Sequence, residues 1–370
     1  MTDTDFYSAP AIRDGHRPGD LLRMRKTTTP QLAGTSDAWQ IVYVSADARG
    51  DLVPASGTVI SPDTTADLGV NAILVWHPPF HGLGGPCAPS HLLAAGHEPD
   101  TGPITAALDR GWTVAVADGE NLGVTGLGSY TFLAALSGGR VLLDLARATQ
   151  ALPDLDTADA PVLVWGYGDG GRTAAAAAEQ HPEYAAELDL RGVAAGAVMS
   201  DLAAHAEHLD QGPWAVLGFA GLVGISRAYH HLPLRHVLTD LGRHIAVDAE
   251  TLTGAVLFEQ YRRPLAHWCE RADPWNDPMW RHVFTIETLA HDTPAVPVHF
   301  YHGLADAIVP VAAGRQAFTD YHRRGAEVTW REYDADHRTT AADAVSETTA
   351  RLADYLTRPP TPATDPFGAP

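Results

Sequence analysis

The stretch VLVWGYGDGGRTAAAAAEQ, residues 163–181, constrains the fold more than any other part of the chain. Its β-branched and aromatic start reads as a buried strand, its glycines as a sharp turn and its alanine-rich end as a helix. Such an elbow presents its apex residue to a pocket beyond the carboxyl ends of parallel strands. Gly166 and Gly170 stand two residues either side of the apex, where a side chain is expected to collide with the neighbouring strand or helix. The apex itself is Gly168, at a position where elbows of this type carry a nucleophilic serine. Glycine tolerates the unfavourable backbone of that position. The elbow is therefore expected to keep its shape while lacking a nucleophile.

The rest of the chain supplies a setting for the elbow. Residues 38–47 and 52–62 predict a hairpin, and β-branched runs follow at 72–77, 112–118, 161–168, 192–200, 296–303 and 327–334. Helical patterns lie between most of them, which predicts an α/β fold with a mostly parallel, doubly wound sheet. The His-, Trp-, Pro- and Gly-rich stretch 201–292 interrupts the alternation and is expected to form an inserted helical cap. The expected organisation is an N-terminal arm (1–37), a first core part (38–200), the cap (201–292), a second core part (293–358) and a Pro-rich, disordered tail (359–370).

The formal charge of −20 argues against nucleic acid and an anionic membrane surface as partners, because both select a basic face. No run approaches eighteen apolar residues, and the acidic N-terminus has no apolar signal-peptide region. A cytoplasmic protein acting on a small molecule is the expectation, with the oligomeric state left open by the sequence. Cys87 and Cys269 are too few for a disulfide scaffold.

Two further positions carry chemistry. YHGLADAIVP (301–310) puts Asp306 just after a predicted strand, and YDADHRTT (333–340) puts His337 just after the last one. An aspartate that accepts from an imidazole Nδ1 fixes its tautomer and stabilises its cation, so the pair can move protons without a serine. Asp169 is a rival carboxylate nucleophile, but placing it at the apex puts Tyr167 where the turn needs glycine. His205 and His208 lie one helical turn apart, and His230 and His231 share the same stretch. No third ligand stands at a recognisable spacing, so solvated histidines are expected, with no metal and no cofactor. Trp214, Phe219, Tyr229, Trp268 and Trp275 together suggest a wide apolar pocket.

FYSAP…HRPGDLLRMR, GTVISP, CAPS, GGRVLLDLARA, GYGDGG, PEYAAELDLRGVAAG and HGLADAIVP together make the chain resemble the secretory lipase family of the α/β-hydrolases, which includes fungal lipase A and actinobacterial lipase-like proteins. The resemblance covers nearly all of residues 5–358. It implies that Asp306 and His337 match the family's acid and base, that Gly168 stands at its serine, and that the Asp169 N–H is half of its oxyanion hole. His81 falls at the other oxyanion position, where relatives carry Asp or Gln. Cys87 and Cys269 resemble a disulfide pair of secreted members.

These departures from the family pattern point to a serine-less, non-hydrolytic enzyme of specialised metabolism. In it His337 and Asp306 do acid/base work, such as C–C bond formation or cyclisation on a bulky, aromatic polyketide-like substrate. His81 and the Asp169 N–H would stabilise the developing anion, and Gly168 would provide room. The alternatives are an esterase, lipase or epoxide hydrolase-type hydrolase, with an engineered Ser-to-Gly change or Asp169 as nucleophile, and a catalytically inactive binding protein.

Overall fold

The computed structural model describes residues 6–63 and 71–358. The tail expected to be disordered lies outside these residues, as do the first five residues of the expected arm. The described residues contain β1 (Leu21–Thr27), β2 (Thr35–Ala46), β3 (Leu52–Pro62), β4 (Ile73–His77), β5 (Thr113–Ala117), β6 (Val162–Tyr167), β7 (Leu190–Gly196), β8 (Val298–Gly303) and β9 (Val328–Tyr333). They form one sheet in the order β1-β2-β3-β5-β4-β6-β7-β8-β9. β1, β2, β3 and β5 pair antiparallel, whereas β5 through β9 pair parallel.

The central strands β4, β5 and β6 are buried along their whole length and are almost entirely apolar, because both faces are covered. Side chains alternate between the faces. Val75, Ala115 and Val164 enter one core with the helices Ala135–Gln150 and Asp169–Tyr184. Leu74, Trp76, Leu163 and Trp165 enter the other, with the helices Gly102–Leu108 and Val345–Leu356. Each fully buried Val or Leu on these faces contributes about 1.5–3 kcal/mol. Trp165 is fully buried and donates to the Tyr301 hydroxyl at 2.9 Å, so its truncation to Ala would cost about 3–5 kcal/mol.

β1 is a strand that the sequence pattern does not signal. It lies within the stretch expected to be an arm, and Arg23, Arg25 and Lys26 hide its alternation. Charge is one way in which proteins blunt an exposed sheet edge.

Between β7 and β8 the described chain is helical, from Leu202 to Ile286, and it shares a hydrophobic core with Leu83, Leu122, Tyr130 and Phe132 of the loops after β4 and β5. Asp201, Thr239, Thr253 and Asp277 each accept a hydrogen bond from a backbone N–H of the helix they precede, which satisfies donors that have no partner within the helix. Glu287 ties this segment to the helices Ala135–Gln150 and Asp169–Tyr184 of the core. It accepts from the Tyr229 hydroxyl at 2.7 Å and from Ala135 N at 2.8 Å, and it faces the fully buried Arg172 at 3.5 Å. No described helix is long and apolar enough to cross a membrane.

Candidate active site

β6 lies between β4 and β7 and delivers the elbow to the middle of the sheet's carboxyl edge. Gly168 adopts φ +60° and ψ −118°, and the helix Asp169–Tyr184 starts at the next residue. The flanking glycines are sterically required. A Cβ at Gly166 would lie 1.9 Å from Gly170 O, and one at Gly170 would lie 2.1 Å from His77 O. At the apex the surroundings are open. A Cβ there would meet His337 Nε2 at 3.5 Å and Pro79 Cβ at 4.0 Å, both ordinary contacts.

Asp306 sits in the turn after β8. Its Oδ1 accepts from Ile308 N at 2.9 Å and Val309 N at 2.8 Å, and its Oδ2 lies 2.6 Å from His337 Nδ1. His337 opens the helix that follows β9, capped by Asp336. The Tyr167 hydroxyl donates to its carbonyl at 2.5 Å, and the Tyr167 ring packs 4.8 Å from the imidazole. With Nδ1 occupied by Asp306, Nε2 is left facing Gly168. The structure thus brings the expected acid, base and apex together.

Asp169 brings two separate polar groups to the site. Its N–H belongs to the first residue of a helix, so it has no intrahelical acceptor and stands at the positive end of the helix dipole. That suits a developing oxyanion. Its carboxylate is tied down as a support: Oδ1 accepts from Leu133 N at 3.1 Å and Oδ2 from the Tyr130 hydroxyl, which also contacts His77 Nε2 at 3.2 Å. Burial raises the Asp169 pKa, against the pull of His77, Tyr130 and Arg172. Both features disfavour it as a nucleophile.

His81, expected as an oxyanion donor, has its Nε2 taken up by acidic side chains. Its Nε2 lies 2.9 Å from Glu98 Oε1 and 3.9 Å from Asp100 Oδ2. Burial alone would lower its pKa, but Glu98 and Asp100 outweigh that and raise it. His205 is not solvated: it is buried, lines the cavity, and burial with His208 and Arg172 pushes its pKa down to about 3. His208 Nε2 bonds Ala307 O at 2.9 Å, while His230 and His231 are exposed.

Gly168, His337 and His81 share one cavity of about 760 Å³. Its aromatic walls are Phe80, Phe132, Trp214, Phe258 and Tyr167. Of the expected pocket residues only Trp214 lines it. Phe219 packs on Trp268, 6.4 Å between ring centroids, and Tyr229 is committed to Glu287. Phe80 and Phe132, whose ring centroids lie 4.1 Å apart with the planes tilted by 34°, lie in loops whose sequence carries no periodic signal. Cys87 and Cys269 are both buried free thiols. Cys87 Sγ lies 3.6 Å from Leu252 O, and Cys269 packs in the hydrophobic core beneath the helical segment, so the disulfide implied by the resemblance is not formed.

The secretory lipase profile matches residues 88–357. Lipase A of Arthroderma benhamiae is 24% identical over 384 residues, covering 96% of this chain and 79% of that protein. A "Probable trichothecene esterase" of Stachybotrys chartarum is 25% identical over 352 residues, covering 89% and 71%. A secreted triacylglycerol lipase of Malassezia globosa is 28% identical over 346 residues, covering 87% and 74%. The solved structure of Candida antarctica lipase A in its closed state superposes with a TM-score of 0.85 at 20% identity, covering 98% of this chain and 89% of its own. A ligand-bound rice cell wall degrading esterase from Xanthomonas oryzae does so at 0.72 and 19%, covering 91% and 97%. At these identities the two structures speak for the fold alone.

Two expectations change with these findings. Cytoplasmic residence is overturned, because the family is described as secretory and relatives are secreted lipases. The non-hydrolytic cyclase or lyase chemistry finds no support among the lipase and esterase relatives, and the hydrolase alternative fits better. With the profile matched over most of its length, this α/β-hydrolase chain belongs to the secretory lipase family.

Proposed function

We propose that this chain is an esterase-type hydrolase that cleaves a bulky, largely apolar ester without forming an acyl-enzyme. One observation carries the proposal. The apex offers the base no side chain, and the place a serine hydroxymethyl would take beside His337 Nε2 is open. A water molecule there gives its proton to Nε2 while its oxygen bonds to the ester carbonyl carbon. The Asp169 N–H receives the oxyanion, and Asp306 balances the imidazolium. Collapse breaks the bond to the alkoxy group, which leaves as the alcohol after taking the proton back from Nε2.

The helical segment between β7 and β8 acts in this account as a cap. Trp214 and Phe258, 5.6 Å apart, close the cavity from its side, and Phe80 and Phe132 close it from the core. An apolar space of this size suits a ring-bearing ester, in keeping with the relative named as a trichothecene esterase, and the relatives' secretion favours work outside the cytoplasm. A second reading rests on the same missing nucleophile: His337 takes a proton from the substrate itself and drives an intramolecular C–C closure. The relatives' names favour hydrolysis.

The test is product analysis of an ester panel running from ring-bearing acyl esters to long-chain triacylglycerol. The expected result is release of free acid, strongest for the bulky esters and lost in His337→Ala. Isomerised product without acid favours closure, and unchanged substrate throughout overturns both readings.

A further inference from the structure

Another wall of the cavity holds a second group of polar side chains that the hydrolytic steps do not use. His81 lies on the loop after β4, and Glu98 and Asp100 lie between the helices Pro89–Ala95 and Gly102–Leu108. One ligand atom from each can be chosen so that all three fall within 4.8 Å of one another. The closest approaches are 2.9 Å from His81 Nε2 to Glu98 Oε1 and 3.9 Å to Asp100 Oδ2. Two ligands of one tetrahedral ion stand about 3.3 Å apart when the bonds are about 2.0–2.1 Å, so these separations bracket the edge of such a site.

Glu98 supplies an independent sign of a missing partner. Its residue is only 4% exposed, and its Oε2 is buried with no hydrogen-bond partner. A buried carboxylate oxygen left in that state is costly unless something positive meets it. The surroundings are also built to hold it. Gln31 clamps the Glu98 backbone from both sides, donating to its carbonyl at 2.6 Å and accepting from its N–H at 3.1 Å. Asp100 N adds a bond to Oε1 at 3.1 Å. Gly254 N donates to the His81 carbonyl at 2.6 Å and so fixes the loop that carries the imidazole.

We propose that His81, Glu98 and Asp100 bind one divalent first-row transition ion of the Zn²⁺ type, with its remaining coordination position open to the cavity. One imidazole and two carboxylates form a mixed nitrogen and oxygen donor set suited to Zn²⁺ or Mn²⁺. Three protein ligands with one open position are the pattern of a working site rather than a closed structural one. His81 and Asp100 both line the cavity that His337 and Arg338 also line. When bound, the ion supplies a Lewis acid in the same chamber as the base. The proposal is separate from the hydrolytic reading, because metal content is measured without turnover.

The experiment uses full-length protein stripped with chelator, then titrated with Zn²⁺ in a calorimeter and with Co²⁺ in the visible range. The expected result is one ion per chain, retained through gel filtration, with a Co²⁺ d–d band. Glu98→Gln and His81→Gln are expected to weaken binding at least 100-fold, while the control His244→Gln, on an exposed helix face, leaves it unchanged. If Glu98→Gln fails to fold, Asp100→Asn at the partly exposed rim carries the test, with an expected loss of at least 10-fold. Absence of a retained ion, or affinity unaffected by these substitutions, overturns the proposal.

Discussion

Asp306 Oδ2 lies 2.6 Å from His337 Nδ1, while its Oδ1 is held by the N–H groups of Ile308 and Val309. The aspartate cannot swing without stranding two donors, so the imidazole is held in one tautomer with Nε2 towards the apex. In Asp306→Asn the same two N–H groups would claim the amide oxygen and turn the NH₂ towards Nδ1. The tautomer then inverts and Nε2 carries the proton. Turnover is expected to fall by about 10²–10⁴ with the fold intact, checked by kcat together with circular dichroism.

Gly168 keeps φ at +60°, where an L side chain is strained. Gly168→Ala is therefore expected to lose about 1–3 kcal/mol in chemical denaturation, and from strain rather than collision. Gly168→Ser places a hydroxyl beside Nε2 at the same backbone cost. It should acquire covalent labelling by a fluorophosphonate, and the wild-type protein should show none at the apex.

Glu287 joins the helical segment to the core through Tyr229, Ala135 and the buried Arg172. Removing one member of a buried ion pair leaves the other uncompensated. Glu287→Ala should cost about 3–5 kcal/mol, read as a shift in the urea midpoint with little change in m.

His205 gives a pH signature. Its folded pKa, near 3, lies below the unfolded value near 6.5, so between these limits the unfolded chain binds more protons than the folded one. Stability from this residue is complete above pH 6.5 and falls as pH drops towards 3, by about 1.4 kcal/mol per pH unit. His205→Phe is expected to flatten the stability profile between pH 6 and 4.5 relative to wild type. Parallel profiles for the two proteins would show that His205 is already charged in the fold.

The elbow, the pairing of Asp306 with His337 and most of the sheet are legible in the sequence because each depends on local rules. Glycine is forced at 166 and 170, central strands run apolar, and Asp306 and His337 follow strands directly. The misses come from contacts between distant segments. Phe219 and Tyr229 share the composition of Trp214, but Trp268 and Glu287 claim them. Nothing in the sequence around His81 shows that Glu98, seventeen residues on, would take its Nε2. β1 hid behind its own charges. The unpaired state of Cys87 and Cys269 likewise follows from where the helices place them.

The central claim is that His337 works as a base on water with no covalent intermediate. Stopped-flow turnover of a p-nitrophenyl ester, comparing wild type with His337→Ala, tests it most directly. The account predicts a linear release of nitrophenol from the first turnover, with no burst, and a rate lower by about 10²–10⁴ in His337→Ala. A burst of one equivalent per chain with an acyl adduct on Asp169, or a His337→Ala rate within twofold of wild type, would contradict it.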